Sequence, residues 1–192
     1  MALAEGKLMI LGVWRRRRAN RMLIDQLHGA IVAAARAPSL YREFGAPDTQ
    51  DGRFEMIALH GALALDRLGE LGPLGEEIAQ ELADSVFRHF DDALREMGVG
   101  DTVVPRRVKK MAEAFYGRGL AYRTSWSKGD EAAAADAMAR NVYGVADASL
   151  APRATALAAY ARRCRLALRD VPIEAFAAGQ LSFPAPAEAG SP

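Results

Sequence analysis

Between Phe54 and Leu65 the chain carries almost nothing but apolar residues, and the polar ones gather at either end. A helix that is apolar nearly all round has no face to give to water, so the segment is predicted to be a central, buried helix. The other segments must therefore supply its cover. No run alternates with period two well enough to read as a strand, so the cover must be helical too.

The flanking segments match that demand. Residues 18–36 place Met22, Leu23, Gln26, Leu27, Ala30, Ile31 and Ala34 at spacings of three and four, the pattern of an amphipathic helix that Pro38 stops. Ser39 to Phe44 reads as one short turn. The central helix is predicted from the cap-forming Asp48–Asp51 region to about Leu71, where Gly72-Pro73 breaks it. A helix over 75–97 carries the stripe Ile78, Leu82, Val86, Phe90, Leu94 and Met97. A fifth, over 103–127, carries Val104, Val108, Met111, Phe115, Tyr122 and Trp126. Further helices are predicted from Asp130 to Tyr143 and from Pro152 to Arg169, with one more turn over Val171–Ala178. The reading is all-α: one compact bundle of about six to eight helices with loose ends. It divides the chain into an apolar and basic arm (1–17), a helical domain (18–180) and a disordered tail (181–192) rich in proline.

The chain has 192 residues, 51% apolar and 26% charged, which suits one globular domain with a full core. Net charge is +1, so any electrostatic partner must be recognised by a local patch. Cys164 is the only cysteine, which leaves no disulfide framework and fits a reducing compartment. Arg162, Arg163 and Arg165 surround it and could activate a thiol, but filling a helix face is the better reading. Leu8–Trp14 is seven residues long, too short to span a bilayer, and its arginines follow it instead of preceding it, so no export signal is expected. The expected location is cytoplasmic, or peripheral at the inner face of the cytoplasmic membrane.

Residue patterns that carry chemistry are few. His28, His60 and His89 have no second histidine or cysteine one turn away, so no metal site is expected. His60, inside the apolar helix, reads as a satisfied core histidine, and His89 as a surface partner of Asp92. Gly98-Val99-Gly100 and Gly117-Arg118-Gly119 complete no phosphate loop. The second pair, inside a helix, is expected where a neighbouring helix comes close. No serine has an evident base, and no cofactor or catalytic residue is expected.

Two basic features remain. Trp14 with Arg15, Arg16, Arg17 and Arg18 could lie on an anionic membrane surface, or be a solvated arm. Arg106, Arg107, Lys109 and Lys110 open the fifth helix, where positive charge opposes the helix dipole at roughly a few tenths of a kcal/mol each. Arg107, Lys110, Ala114 and Arg118 share a face by spacing, so a basic strip runs opposite the aromatic one. The plain alternative is pairing with Asp91, Asp92 and Glu96. Contact with a partner is the preferred reading, because stability alone would not choose this placement.

At these residues the chain resembles a known family. Gly45 to His60, Phe87 to Asp101, and Val104-Pro-Arg-Arg-Val-Lys-Lys-Met-Ala-Glu-Ala-Phe-Tyr-Gly-Arg118 resemble the ubiquinol–cytochrome c chaperone family in its alphaproteobacterial form. The resemblance implies a helical, non-enzymatic assembly factor for the cytochrome bc1 complex. Its partners would be cytochrome b or bc1 assembly intermediates, with weak contact to the cytoplasmic membrane face and no nucleic acid. A chaperone for a membrane subunit needs an apolar groove with a polar rim. The expected client-binding residues are Arg106, Arg107, Lys109, Lys110, Met111, Phe115, Tyr116, Arg118 and Tyr122, with Asp48, Asp51, Arg53 and Glu55 as a second group. Two rivals stand beside this reading: a nucleic-acid-binding protein using Arg15–Arg18 and the basic helix, and a small helical enzyme with an unrecognised pocket.

Overall fold

The structure, a computed structural model, is described over residues 20–186. The first helix, α1, runs through residues 20–35. It is followed by α2 (Pro38–Arg42), α3 (Gln50–Gly69), α4 (Gly72–Glu96), α5 (Val104–Lys128), α6 (Glu131–Val142), a 3-10 turn (Ala148–Leu150), α7 (Pro152–Arg169) and α8 (Ile173–Ala177). No strand occurs among the described residues. The fold is all-α, as the periodicity predicts.

α3 is the axis. It packs against α4, α5, α6 and α7, and every residue from Glu55 to Ala64 is buried. Thr49 begins the helix by accepting the Gly52 N–H at 3.2 Å. Asp130 does the same for α6, accepting the Ala133 N–H at 2.9 Å. α5 ends at Gly129, whose φ of 64° gives the left-handed C-terminal stop that a side chain would strain. Gly72-Pro73, read from sequence as a break, instead starts α4. Proline is tolerated there because the first-turn N–H groups have no helical partner to lose.

Asp66, near the end of α3, holds three helices together. Its carboxylate takes Arg123 Nε of α5 at 3.3 Å and Arg165 Nε of α7 at 3.2 Å. The next residue, Arg67, donates through Nη2 to the Val171 carbonyl at 2.9 Å, which fastens the connection from α7 to α8.

The C-terminal segment departs from expectation. Phe176 is fully buried, and Leu181 and Phe183 pack against the core. The Phe183 ring meets His60 edge-on at 5.0 Å. Residues 181–186 are thus a strap laid on the bundle, not part of a loose tail. Ser182 separates its two packed apolar side chains, and Pro184 and Pro186 bring no N–H that would need a partner. Residues 187–192 lie outside the described residues.

Candidate functional site

The two sequence blocks with the most distinctive charge patterns meet in space. Arg118 of α5 donates through Nε and Nη2 to both carboxylate oxygens of Glu55 on α3, and through Nη1 to the Ala114 carbonyl at 3.2 Å. Its guanidinium also lies over the Phe54 ring, 5.2 Å from the centroid. Glu55 is 4% exposed. Burial raises its carboxyl above the ordinary value, and the Arg118 charge and hydrogen bonds pull against that rise. This pair is an internal joint between α3 and α5. Glu55 offers nothing to a partner, while the Arg118 side chain stays 23% exposed.

The aromatic side of α5 is internal as well. Phe115 and Tyr122 are 2% and 0% exposed, so neither offers area to a client, contrary to the sequence expectation. Phe115 lies against Gly61 of α3, where an added Cβ would come within 2.8 Å of the ring. Tyr122 stacks on Trp126 at 5.8 Å. What α5 does expose is Tyr116, set edge-on against Phe87, and Leu120, which the sequence pattern missed. Gly119 faces Ala62 at an ordinary contact distance, while Gly117 has nothing within reach of a Cβ. The close approach expected at 117–119 is found instead at Gly61, on the partner helix.

Arg106, Arg107, Lys109 and Lys110 are all exposed on the first turns of α5. Lys109 comes to 4.0 Å of Glu113 on its own helix. The nearby acids are engaged elsewhere or open. Asp91 is held by Arg95, which also reaches Asp101. Among the described residues, no ion pair links Arg106, Arg107 or Lys110 to an acid. Pairing within the fold therefore does not account for this cluster.

Next to it is a cleft of about 390 Å³ between the start of α3, the end of α4 and α5. Phe54, Ile57, Phe90, Leu94, Met97 and Met111 form its apolar part. Arg36, Arg53, Asp48 and Glu96 stand at its polar edge. Arg53 donates to Asp48 at 2.8 Å across the α3 entry. Gln50 Nε2 approaches the Met97 sulfur at 3.2 Å. Met97 is 52% exposed, an unusual fate for the end of an otherwise buried stripe. On α5, Arg107 precedes Met111 by one turn and so lies on the cleft side. Asp51 is exposed in the first turn of α3, where its charge suits the helix dipole.

The remaining candidates sort cleanly. His60 Nδ1–H donates to the Met56 carbonyl at 2.8 Å, and its Nε2 accepts from the Tyr160 hydroxyl at 2.9 Å. Burial pushes its pKa down to about 4, so the ring is neutral. Cys164 is buried, and burial pushes its thiol up to about 11, the opposite of an activated nucleophile. His89 meets the His28 ring at 5.1 Å and lines the cleft, in place of the expected pairing with Asp92. Trp14 and Arg15–Arg18 lie outside the described residues. Arg36 and Tyr41 had no local signal, and Phe90 and Met97 read from sequence only as part of an apolar stripe; the cleft gathers them from separate segments.

Comparison with known proteins agrees with the resemblance. A family model described as ubiquinol–cytochrome c chaperone matches residues 42–183. The crystal structure of the Cbp3 homologue from Brucella abortus is 41% identical. The match covers 92% of this chain and 97% of that one, with a TM-score of 0.81. No curated protein gives a significant match.

Proposed function

Since this chain belongs to the ubiquinol–cytochrome c chaperone family, we propose that it assists assembly of the cytochrome bc1 complex by holding newly made cytochrome b in the α3–α4–α5 cleft. The observation that carries the reading is the cleft itself: an apolar floor with exposed Met97, beside a cationic cluster in which, among the described residues, only Lys109 has an acid within reach. Apolar segments of a membrane subunit need shelter before insertion. Methionine suits that task because its unbranched, polarisable side chain adapts to varied partners. Positive charge at the rim would meet acidic loops of the client and let it leave again, since exposed charge pairs are weak. No helix among the described residues is long and apolar enough to cross a membrane.

Two variants test this in cells that make the complex. One reverses Arg106, Arg107, Lys109 and Lys110 to Glu. The other fills the cleft with Ala93→Trp. Copurification of cytochrome b with the tagged protein is expected to fall at least fivefold in each, with helical content unchanged. The charge reversal puts negative charge at the α5 N-terminus, which the helix dipole favours, but sets residue 109 against Glu113, so the unchanged helical content is what separates loss of capture from a weakened fold. Unchanged capture in both variants would sink the proposal. Recovery of RNA with the wild-type protein, lost on charge reversal, would favour the nucleic-acid rival.

A further inference from the structure

Along the first half of α4, away from the cleft at its end, α1 and α4 enclose a second groove of about 680 Å³, with the end of α8 at its margin. Met22 and Leu23 of α1 face Leu74 and Ile78 of α4 across it. Met22 is 56% exposed and Leu74 48%, so two large apolar side chains stand open to water on facing walls. Its acidic members are Glu77 and Glu81, both on α4. Asn20 donates to both Glu81 oxygens, at 2.7 and 2.6 Å. The first described residue is therefore fastened to the groove's acidic edge, and the chain before it must depart from that point.

The residues before it carry the complementary chemistry in the matching order. Arg15–Arg18 come immediately ahead of Ala19 and Asn20, and the apolar run Leu8–Trp14 precedes them. An extended chain spans about 3.3–3.6 Å per residue, so six residues reach roughly 20 Å from Asn20 to Trp14. That is enough to turn back along a groove between two helices. We propose that residues 8–18 of this chain fold back onto the α1–α4 groove, with Leu8–Trp14 on Met22, Leu23, Leu74 and Ile78 and the arginines against Glu77 and Glu81. The net charge of +1 leaves no bulk field to hold the arm, so the groove's own carboxylates supply the attraction. The inference does not rest on the client reading, because groove and cleft share no lining residue.

Trp14 and Trp126 are the only tryptophans. In the full chain carrying Trp126→Phe, emission and acrylamide quenching report Trp14 alone. The expected quenching constant is at least threefold below that of a free peptide of residues 8–18, and rises to the peptide's value when Glu77→Lys and Glu81→Lys are added. Quenching equal to the peptide's in both proteins would overturn the proposal. So would shielding that grows with protein concentration, which would mark a second copy as the partner, or shielding seen only on adding anionic phospholipid vesicles, which would mark the membrane. A second measurement leaves Trp126 untouched. Leu11→Cys with Leu74→Cys, under mild oxidation, is expected to give a disulfide within the monomer, formed at least fivefold more slowly when Glu77 and Glu81 are Lys. Failure to form that monomeric disulfide would overturn the proposal on its own.

Discussion

Arg118 and Glu55 show how a residue can look like a binding group in sequence and be a structural one in space. A buried carboxylate left without its partner is costly, on the order of 3 kcal/mol. Arg118→Met is expected to lower unfolding free energy by about 3 kcal/mol at pH 7, measured by urea denaturation. The loss should shrink at pH 5, because Glu55, already raised by burial, can then take a proton and shed its charge. The histidines give the opposite dependence. His28 and His60 are both pushed down to about 4 from 6.5, chiefly by burial. Between those values the unfolded chain binds protons that the folded one refuses. Stability is thus full above about pH 6.5 and falls as pH drops toward 4, by at most about 1.4 kcal/mol per pH unit for each group. His28→Gln should flatten the profile between pH 6.5 and 4 in a urea-midpoint series. An unchanged slope would show that His28 titrates normally.

At the scale of the element, α5 is where sequence and structure part most instructively. Its length was legible, because apolar spacing is a local rule of helix geometry; its stop at Gly129 was seen only in the structure. Its two faces were assigned only in part. Spacing alone says that Phe115 and Tyr122 share a side and that Arg107 and Arg118 share another. It cannot say that Glu55, 63 positions earlier, would draw Arg118 inward. Nor could it separate the structural glycine from the idle one. Gly61→Ala should cost about 1–3 kcal/mol, since its Cβ would press on the Phe115 ring. Gly117→Ala should instead add about 1 kcal/mol, because the site is open and alanine is the better helix former. Thermal unfolding of the two variants beside the wild type checks both, and equal shifts of one sign would contradict the packing described.

For the whole molecule, the all-α architecture followed from one apolar helix and the absence of any strand pattern. What stayed hidden was tertiary convergence: the cleft draws on Arg36 and on α2, α3, α4 and α5, and no local window joins residues as far apart as Arg36 and Met111. The strap was hidden for another reason. Proline-rich composition argues for a loose tail, and only the positions of Leu181 and Phe183 against the core reverse that. Phe183→Ala is expected to cost about 1–2 kcal/mol through lost apolar burial and to raise hydrogen exchange around His60. A variant as stable as the wild type would mean that the strap is incidental.

The strap and α7 also bear on when the protein becomes itself during synthesis. His60 finds its hydroxyl partner 100 positions later, at Tyr160, and its ring cover later still, at Phe183. Until those stretches have been made, the central helix has an open flank, and domains generally close as units. A nascent chain therefore stays uncommitted through most of its translation and settles only near the end. The order of synthesis thus sets the moment at which α3 gains its last neighbours and the fold closes.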